Sequence, residues 1–157
     1  MLHTPLCDLF GVEILIIQAP IAPYTSAQLV AAVSNAGGLG SIGTALQSID
    51  DVKKQVDQTQ ELTKRPFAIN YTSRTFNEDI FKFALEEAKP KIISYALGNP
   101  GELVRRAHDA GILFLQQVHT ARQAREAAEL GVDALIAQGS EAGGFCANVS
   151  ALPLFPK

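Results

Sequence analysis

Residues 138–145 read QGSEAGGF and bring several reactive or ligand-binding groups into one short loop. Gln138 carries both a donor and an acceptor suited to the edge of a ring. Gly143 and Gly144 can offer backbone N–H groups to an oxyanion or phosphate. Glu141 can orient the loop or accept a proton. Phe145 then fills the place where such a loop would profit from an acid or base, and a phenyl ring moves no proton.

Other candidates follow other apolar runs. Gln18-Ala19-Pro20-Ile21-Ala22-Pro23 would give a rigid backbone that a flat ligand can approach closely, or an ordinary strand-to-helix turn. Asn70 offers an amide, although asparagine is common in turns. Gln117 and His119 close another run. His119 is the only histidine expected at the ligand face, and its place just before Thr120 also suits a surface or helix-capping role. His3 belongs to the N-terminal arm and His108 to a solvent face. Gly38-x-Gly40-x-x-Gly43 has the spacing of a dinucleotide loop in the wrong context: it closes a helix and enters a strand instead of the reverse. Helix capping and close helix-to-strand packing account for it better. The sequence has no Cys/His metal cluster, nucleophile elbow or Walker-type loop.

These candidates are positioned by a repeat. Apolar runs at 14–17, 39–42, 67–69, 92–95, 112–115 and 134–137 lack polar alternation, as in parallel strands covered on both faces. Helical spacing lies between them: Leu29, Val33 and Ala36 share one face, Ile49, Val52, Val56 and Thr59 another, and Ile80, Phe83 and Ala84 a third. Thr25 or Ser26, Ser48 (with Asp51 three residues on), Asn77 and Thr120 are the expected N-caps. Gly37-Gly38, Pro90, Gly111 and Gly131 are the stops. The expected fold is α/β, with about six parallel strands and five helices. An open doubly wound sheet and part of an eight-stranded barrel both fit. The short repeat favours an incomplete (βα)8 TIM barrel, in which residues 1–157 form a single partial domain. In either architecture ligands gather where the strands end.

The totals exclude several classes. With 47% hydrophobic and 18% charged residues, the chain is expected to pack a core. A net charge of -3 and a pI near 5.6 provide no basic surface for nucleic acid or anionic lipid. No segment approaches the ~20 apolar residues of a membrane helix, and no leader is recognisable, so a cytoplasmic protein is expected. Cys7 and Cys146 alone make neither a disulfide framework nor a metal site. The sequons at Asn70 and Asn148 are read as chance matches.

IIQAPIA at 16–22, AAVSNAGGLGSIG at 31–43, RPFAIN at 65–70 and GVDALIAQGSEAGG at 131–144, in this order and spacing, resemble the nitronate monooxygenases, formerly 2-nitropropane dioxygenases. These are FMN-dependent (βα)8 barrels. The resemblance runs from about residue 10 to the C-terminus. It implies that Ala19, Pro20 and Ile21 lie against the flavin, with Ile21 where the family usually has methionine, and that Asn70, Gln138 and Gly143 bind FMN, with Gly144 beside them. It further implies oxidation of an alkyl nitronate through FMN by oxygen, giving a carbonyl compound and nitrite.

Two departures bear on activity. The family's loop usually ends in histidine, the base toward neutral nitroalkanes, and Phe145 stands there instead; loss of a positioned base typically costs about 10²- to 10⁴-fold. A nitronate, already an anion, needs no such base. The chain also ends where a sixth helix would begin, two strands short of a barrel. The loops after those strands commonly grip phosphate, so FMN is expected to bind weakly or not at all, and the open sheet edges to favour self-association. Two other readings remain: the FMN-dependent enoyl-acyl-carrier-protein reductases, whose loop is similar, and a non-catalytic fragment. Gln138 favours the monooxygenase.

Overall fold

The computed structural model describes residues 3–145 and 148–154. Helix α1 (Pro5–Phe10) precedes a series of alternating units: α2 (Ala27–Asn35), β1 (Gly40–Gly43), α3 (Ile49–Leu62), β2 (Phe67–Thr72), α4 (Glu78–Phe83), β3 (Ile92–Ala96), α5 (Leu103–Asp109), β4 (Leu113–Val118), α6 (Ala121–Glu129) and β5 (Ala134–Ala137). All strand pairs are parallel, and spatial order equals chain order, β1-β2-β3-β4-β5. A doubly wound sheet must reverse its order at a switch point, whereas sequential order with right-handed crossovers curls toward a barrel wall with the crossover helices outside. This settles the choice that the repeat alone left open.

Local chemistry explains the boundaries. Ser26, Ser48, Asn77 and Thr120 cap α2, α3, α4 and α6 as expected, each side-chain oxygen accepting a backbone N–H of the first turn. Ser48 and Asp51 complete a capping box. Gly131 ends α6 with φ +82°, a left-handed conformation that glycine reaches without a Cβ clash. Gly40 serves close packing: a Cβ there would run into the Val30 carbonyl of α2.

Three expectations are corrected. The run 14–17 is not a full strand; it contributes one isolated parallel bridge, Ile17 to Leu39. Ile16 N–H turns back to the Ile14 carbonyl at 2.9 Å, and this tight turn removes a donor from the ladder. The buried face of α2 is Ala27, Val30, Ala31 and Ser34, while Leu29 is 41% exposed. Small residues let α2 approach the sheet, and the Ser34 hydroxyl joins Pro66 O (2.8 Å) to Gly40 N–H (3.2 Å). Finally, α1 was not expected in the N-terminal arm.

The sheet has two unlike faces because side chains alternate. Outward, Ile42, Ile69, Ile93 and Phe114 lie in register across four strands and are fully buried against the helices, together with Tyr71 and Phe81. Burial of each aliphatic side chain stabilises the fold by about 1.5–3 kcal/mol. Inward, Leu39, Ala68, Ile92 and Leu115 pack with Cys7, Phe10 and Val12, so α1 plugs the N-terminal end of the wall.

Candidate functional site

Two residues further along each strand, the inward face changes character. Leu39 is followed by Ser41, Ala68 by Asn70, Ile92 by Ser94, Leu115 by Gln117, and Ile136 by Gln138. This step from apolar to polar makes a ring of hydroxyls and amides above an apolar floor, at the C-terminal ends of the strands. The ring lines a cavity of about 460 Å³, within the usual size of a small-molecule site. Gln18, Ala19 and Pro20 close one side, and Gly139, Glu141, Ala142 and Ala151 close the other.

Asn70 and Gln117 are strand residues, not loop residues, because β2 and β4 run past their apolar letters to Thr72 and Val118. Asn70 Nδ2 donates to Ser94 Oγ at 2.9 Å. Gln18 Oε1 accepts Ser41 N–H at 3.1 Å, which ties the first loop to β1. Gln117 Nε2 donates to Gln138 Oε1 at 2.9 Å, and His119 Nε2 lies 2.9 Å from the same oxygen.

Seven of the sequence candidates thus meet in one cavity: Gln18, Ala19, Pro20, Asn70, Gln117, Gln138 and Glu141. Ile21 lies outside its lining and is 56% exposed. Gly143 and Gly144 are also outside the lining, although the Gly143 carbonyl accepts Gln138 Nε2 at 3.3 Å. Phe145 is exposed and outside the lining, under the Arg74 guanidinium 4.9 Å from the ring centre. Glu141 anchors the loop: both its oxygens accept Ala151 N–H, at 2.9 and 3.0 Å. The backbone N–H groups of Glu141 and Ala151 hold its carboxyl below the usual range. Tyr95, next to Ser94 on β3, turns its ring to the helix side against Phe76 and Phe114, and burial raises its pKa.

His3 and His108 are engaged with Asp8 and Asp133, each at 2.8 Å, away from this lining. Cys7 is a buried free thiol, and Cys146 lies outside the described residues. Among the described residues no group of three His, Cys, Asp or Glu could hold a metal, and no helix is long and apolar enough to cross a membrane.

Sequence reasoning missed Ser41 and Ser94. The available signal was a polar residue at the second inward position of successive strands, hidden because each run was read as uniformly apolar.

A sequence model described as nitronate monooxygenase matches residues 3–83 and 71–152, nearly the whole chain. The chain belongs to the nitronate monooxygenase family. It is 32% identical over 179 aligned positions to a nitronate monooxygenase of Paraburkholderia phytofirmans, covering 88% of this chain and 49% of that one. It is 31% identical over 156 positions to a (3aS,4S,5R,7aS)-5-hydroxy-7a-methyl-1-oxo-octahydro-1H-indene-4-carboxyl-CoA dehydrogenase of Mycobacterium tuberculosis, covering 99% and 44%. Among solved structures, FabK from Thermotoga maritima superposes with a TM-score of 0.93 at 32% identity, over 98% of this chain and 50% of that one. The chain therefore spans about half the length of the relatives it matches. Its sheet corresponds to part of a TIM-barrel wall, as the repeat predicted.

The lining suits the ring of a flavin. Amide and hydroxyl groups would face the edge of such a ring, and the apolar floor would accept its plane. Among the described residues no lysine or arginine lines the cavity to meet a phosphate.

Proposed function

We propose that this chain forms the ring-binding half of an FMN-dependent oxidoreductase that oxidises alkyl nitronates with oxygen to a carbonyl compound and nitrite. The observation that carries this reading is the ring of Gln18, Asn70, Gln117 and Gln138 above an apolar floor at the strand ends. Ala19 and Pro20 would lie against the isoalloxazine, Asn70 and Gln138 would bind its edge, and Ile21, Gly143 and Gly144 would form the rim. Bound FMN would supply electron transfer from substrate to oxygen.

The chain's own groups argue for an anionic substrate. Phe145 cannot remove a carbon-bound proton, Glu141 is committed to Ala151 N–H, and His119 is committed to Gln138. A nitronate arrives already deprotonated, and Arg74, over the Phe145 ring, is a cation without an ion pair among the described residues.

A second reading has its own support. The superposition on FabK and the likeness to a carboxyl-CoA dehydrogenase favour a reductase that draws electrons from NAD(P)H and acts on a thioester. Anaerobic titration of the FMN-loaded chain separates the two. Bleaching of the flavin by a propyl nitronate and not by NAD(P)H is expected; the opposite result would transfer the assignment to the reductase. A folded sample that takes up no FMN would point to a non-catalytic protein. Phe145→His is expected to raise turnover of neutral nitroalkanes by about 10²-fold, while nitronate turnover changes little.

A further inference from the structure

The amides of the cavity are each partly committed, and this decides what they can offer a ligand. Gln138 is the sharpest case. Its Oε1 has two nitrogens beside it, Gln117 Nε2 at 2.9 Å and His119 Nε2 at 2.9 Å, and those nitrogens are 3.1 Å apart.

A neutral imidazole carries hydrogen on only one ring nitrogen. A bare Nε2 could accept Gln117 Nε2–H at 3.1 Å, but it would press its lone pair against the lone pairs of Gln138 Oε1 at 2.9 Å. An Nε2–H instead forms an ordinary N–H···O bond there, and Gln117 and His119 become two donors converging on one acceptor. Reversing both glutamine amides gives an alternative in which Gln138 donates to a bare His119 Nε2 and to Gln117. That alternative turns the Gln138 oxygen toward the Gly143 carbonyl, now 3.3 Å from Gln138 Nε2, and exchanges a hydrogen bond for carbonyl repulsion. The Gly143 contact breaks the tie in favour of Nε2–H.

His119 is itself held in place. Its backbone N–H donates to Gln123 Oε1 at 2.7 Å, and Gln123 N–H donates to the Thr120 cap of α6 at 3.1 Å. The imidazole thus sits on the start of a helix and reaches across to the end of β5.

We propose that His119, as its Nε2–H tautomer, is a positioning residue that pins the Gln138 carbonyl, so that Gln138 meets a cavity ligand only as an N–H donor. The ligand atom opposite Gln138 is consequently an acceptor, the carbonyl or hydrogen-free nitrogen of a heterocycle. The proposal rests on the reading of the cavity as a flavin-ring site, but its central claim concerns the unliganded chain.

Nitrogen NMR on the full 157-residue chain, labelled at histidine and glutamine, tests it. The His119 resonances are expected to show a protonated Nε2 and a bare Nδ1. His119→Leu is expected to move the Gln138 side-chain amide signals and weaken FMN binding about fivefold, the equivalent of one net hydrogen bond. His119→Gln, which keeps a donor, is expected to restore binding to within about twofold. A bare Nε2 in the unmodified chain, or Gln138 signals unmoved in a folded His119→Leu, would overturn the proposal. If the unmodified chain takes up no FMN, the flavin reading fails and the tautomer measurement alone decides the role of His119. If His119→Leu does not fold, that same measurement again decides.

Discussion

The centre of the sheet and its flanks are built from the same kinds of residues and behave differently. Ile69 of β2 and Ile93 of β3, flanked by strands on both sides, are fully buried. Ile16, in the equally apolar run 14–17, is 60% exposed, and Leu135 of β5 is 39% exposed. Hydrophobicity is therefore not what separates them. A run becomes a buried strand when neighbours complete its hydrogen bonds and a helix covers its outer face; the flanks have fewer such neighbours among the described residues. The cavity spans both regimes, with Asn70 and Ser94 on the rigid centre and Gln18 and Gln138 on the flanks. At the centre the lining residues sit on paired strands, while at the flanks they are held by local ties such as Gln18 to Ser41 and His119 to Gln138.

The largest expected effect tests this contrast directly. Ile69→Ala removes side-chain volume from a site enclosed on all sides, and urea unfolding is expected to show a loss of about 2–5 kcal/mol. Ile16→Ala removes the same atoms from an exposed position and is expected to change stability by less than about 0.5 kcal/mol. Similar losses at the two positions would mean that the 14–17 segment is packed as tightly as the centre.

Helix caps give a smaller effect that sharpens the comparison. Ser48→Ala breaks the capping box of α3, which buries Val52, Val56 and Thr59 behind the sheet, and is expected to cost about 1 kcal/mol of global stability. Thr120→Ala removes the same kind of bond from α6, which buries only Ala127. Hydrogen exchange is expected to show faster opening confined to α6 and β5, with the protection of β2 and β3 unchanged. A uniform loss of protection after Thr120→Ala would show that the flank unfolds together with the centre.

The legible and illegible parts of the sequence divide along the same line. The period of apolar runs and the caps at Ser26, Ser48, Asn77 and Thr120 are local signals, and they placed elements at the centre and at the flanks alike. The 14–17 run misled because strand formation there depends on pairing, which its letters do not carry. The buried face of α2 misled because closeness selected Ala27, Ala31 and Ser34 over the larger Leu29 and Val33. At the site, Ala19, Pro20, Asn70 and Gln138 were singled out from their places after apolar runs. Ser41 and Ser94 were not, because serine inside an apolar run looks like tolerance until the register shows it facing the same space as Asn70. The role proposed for His119 depends on a contact between the residues that follow β4 and β5, 19 apart in the chain, that no local pattern encodes.

The smallest effect concerns charge behind the centre. Arg106 of α5 forks onto Glu78 at the start of α4, with Nη2 2.5 Å from Oε1 and Nη1 3.2 Å from Oε2, and its guanidinium lies 4.9 Å from the Phe81 ring centre. The hydrogen bonds from Arg106, then its charge, hold the Glu78 carboxyl below the usual carboxylate range. A carboxyl depressed in the folded state stabilises above its unfolded pKa, and that contribution fades as pH falls through the folded pKa. Because Glu78 is 43% exposed, solvent screening limits the contribution to about 0.5 kcal/mol. Glu78→Gln is therefore expected to be slightly less stable than the unmodified chain near neutral pH, and the difference should close once the solution is more acidic than the ordinary range of glutamate. The flank's counterpart, Arg122 with Glu126, lies within one helix and joins no second element to the fold, so Glu126→Gln is expected to change stability by less than about 0.3 kcal/mol. Urea midpoints across the acid range measure both. A Glu78→Gln deficit that stayed constant with pH would assign the contact to packing on Phe81 and not to the charge pair.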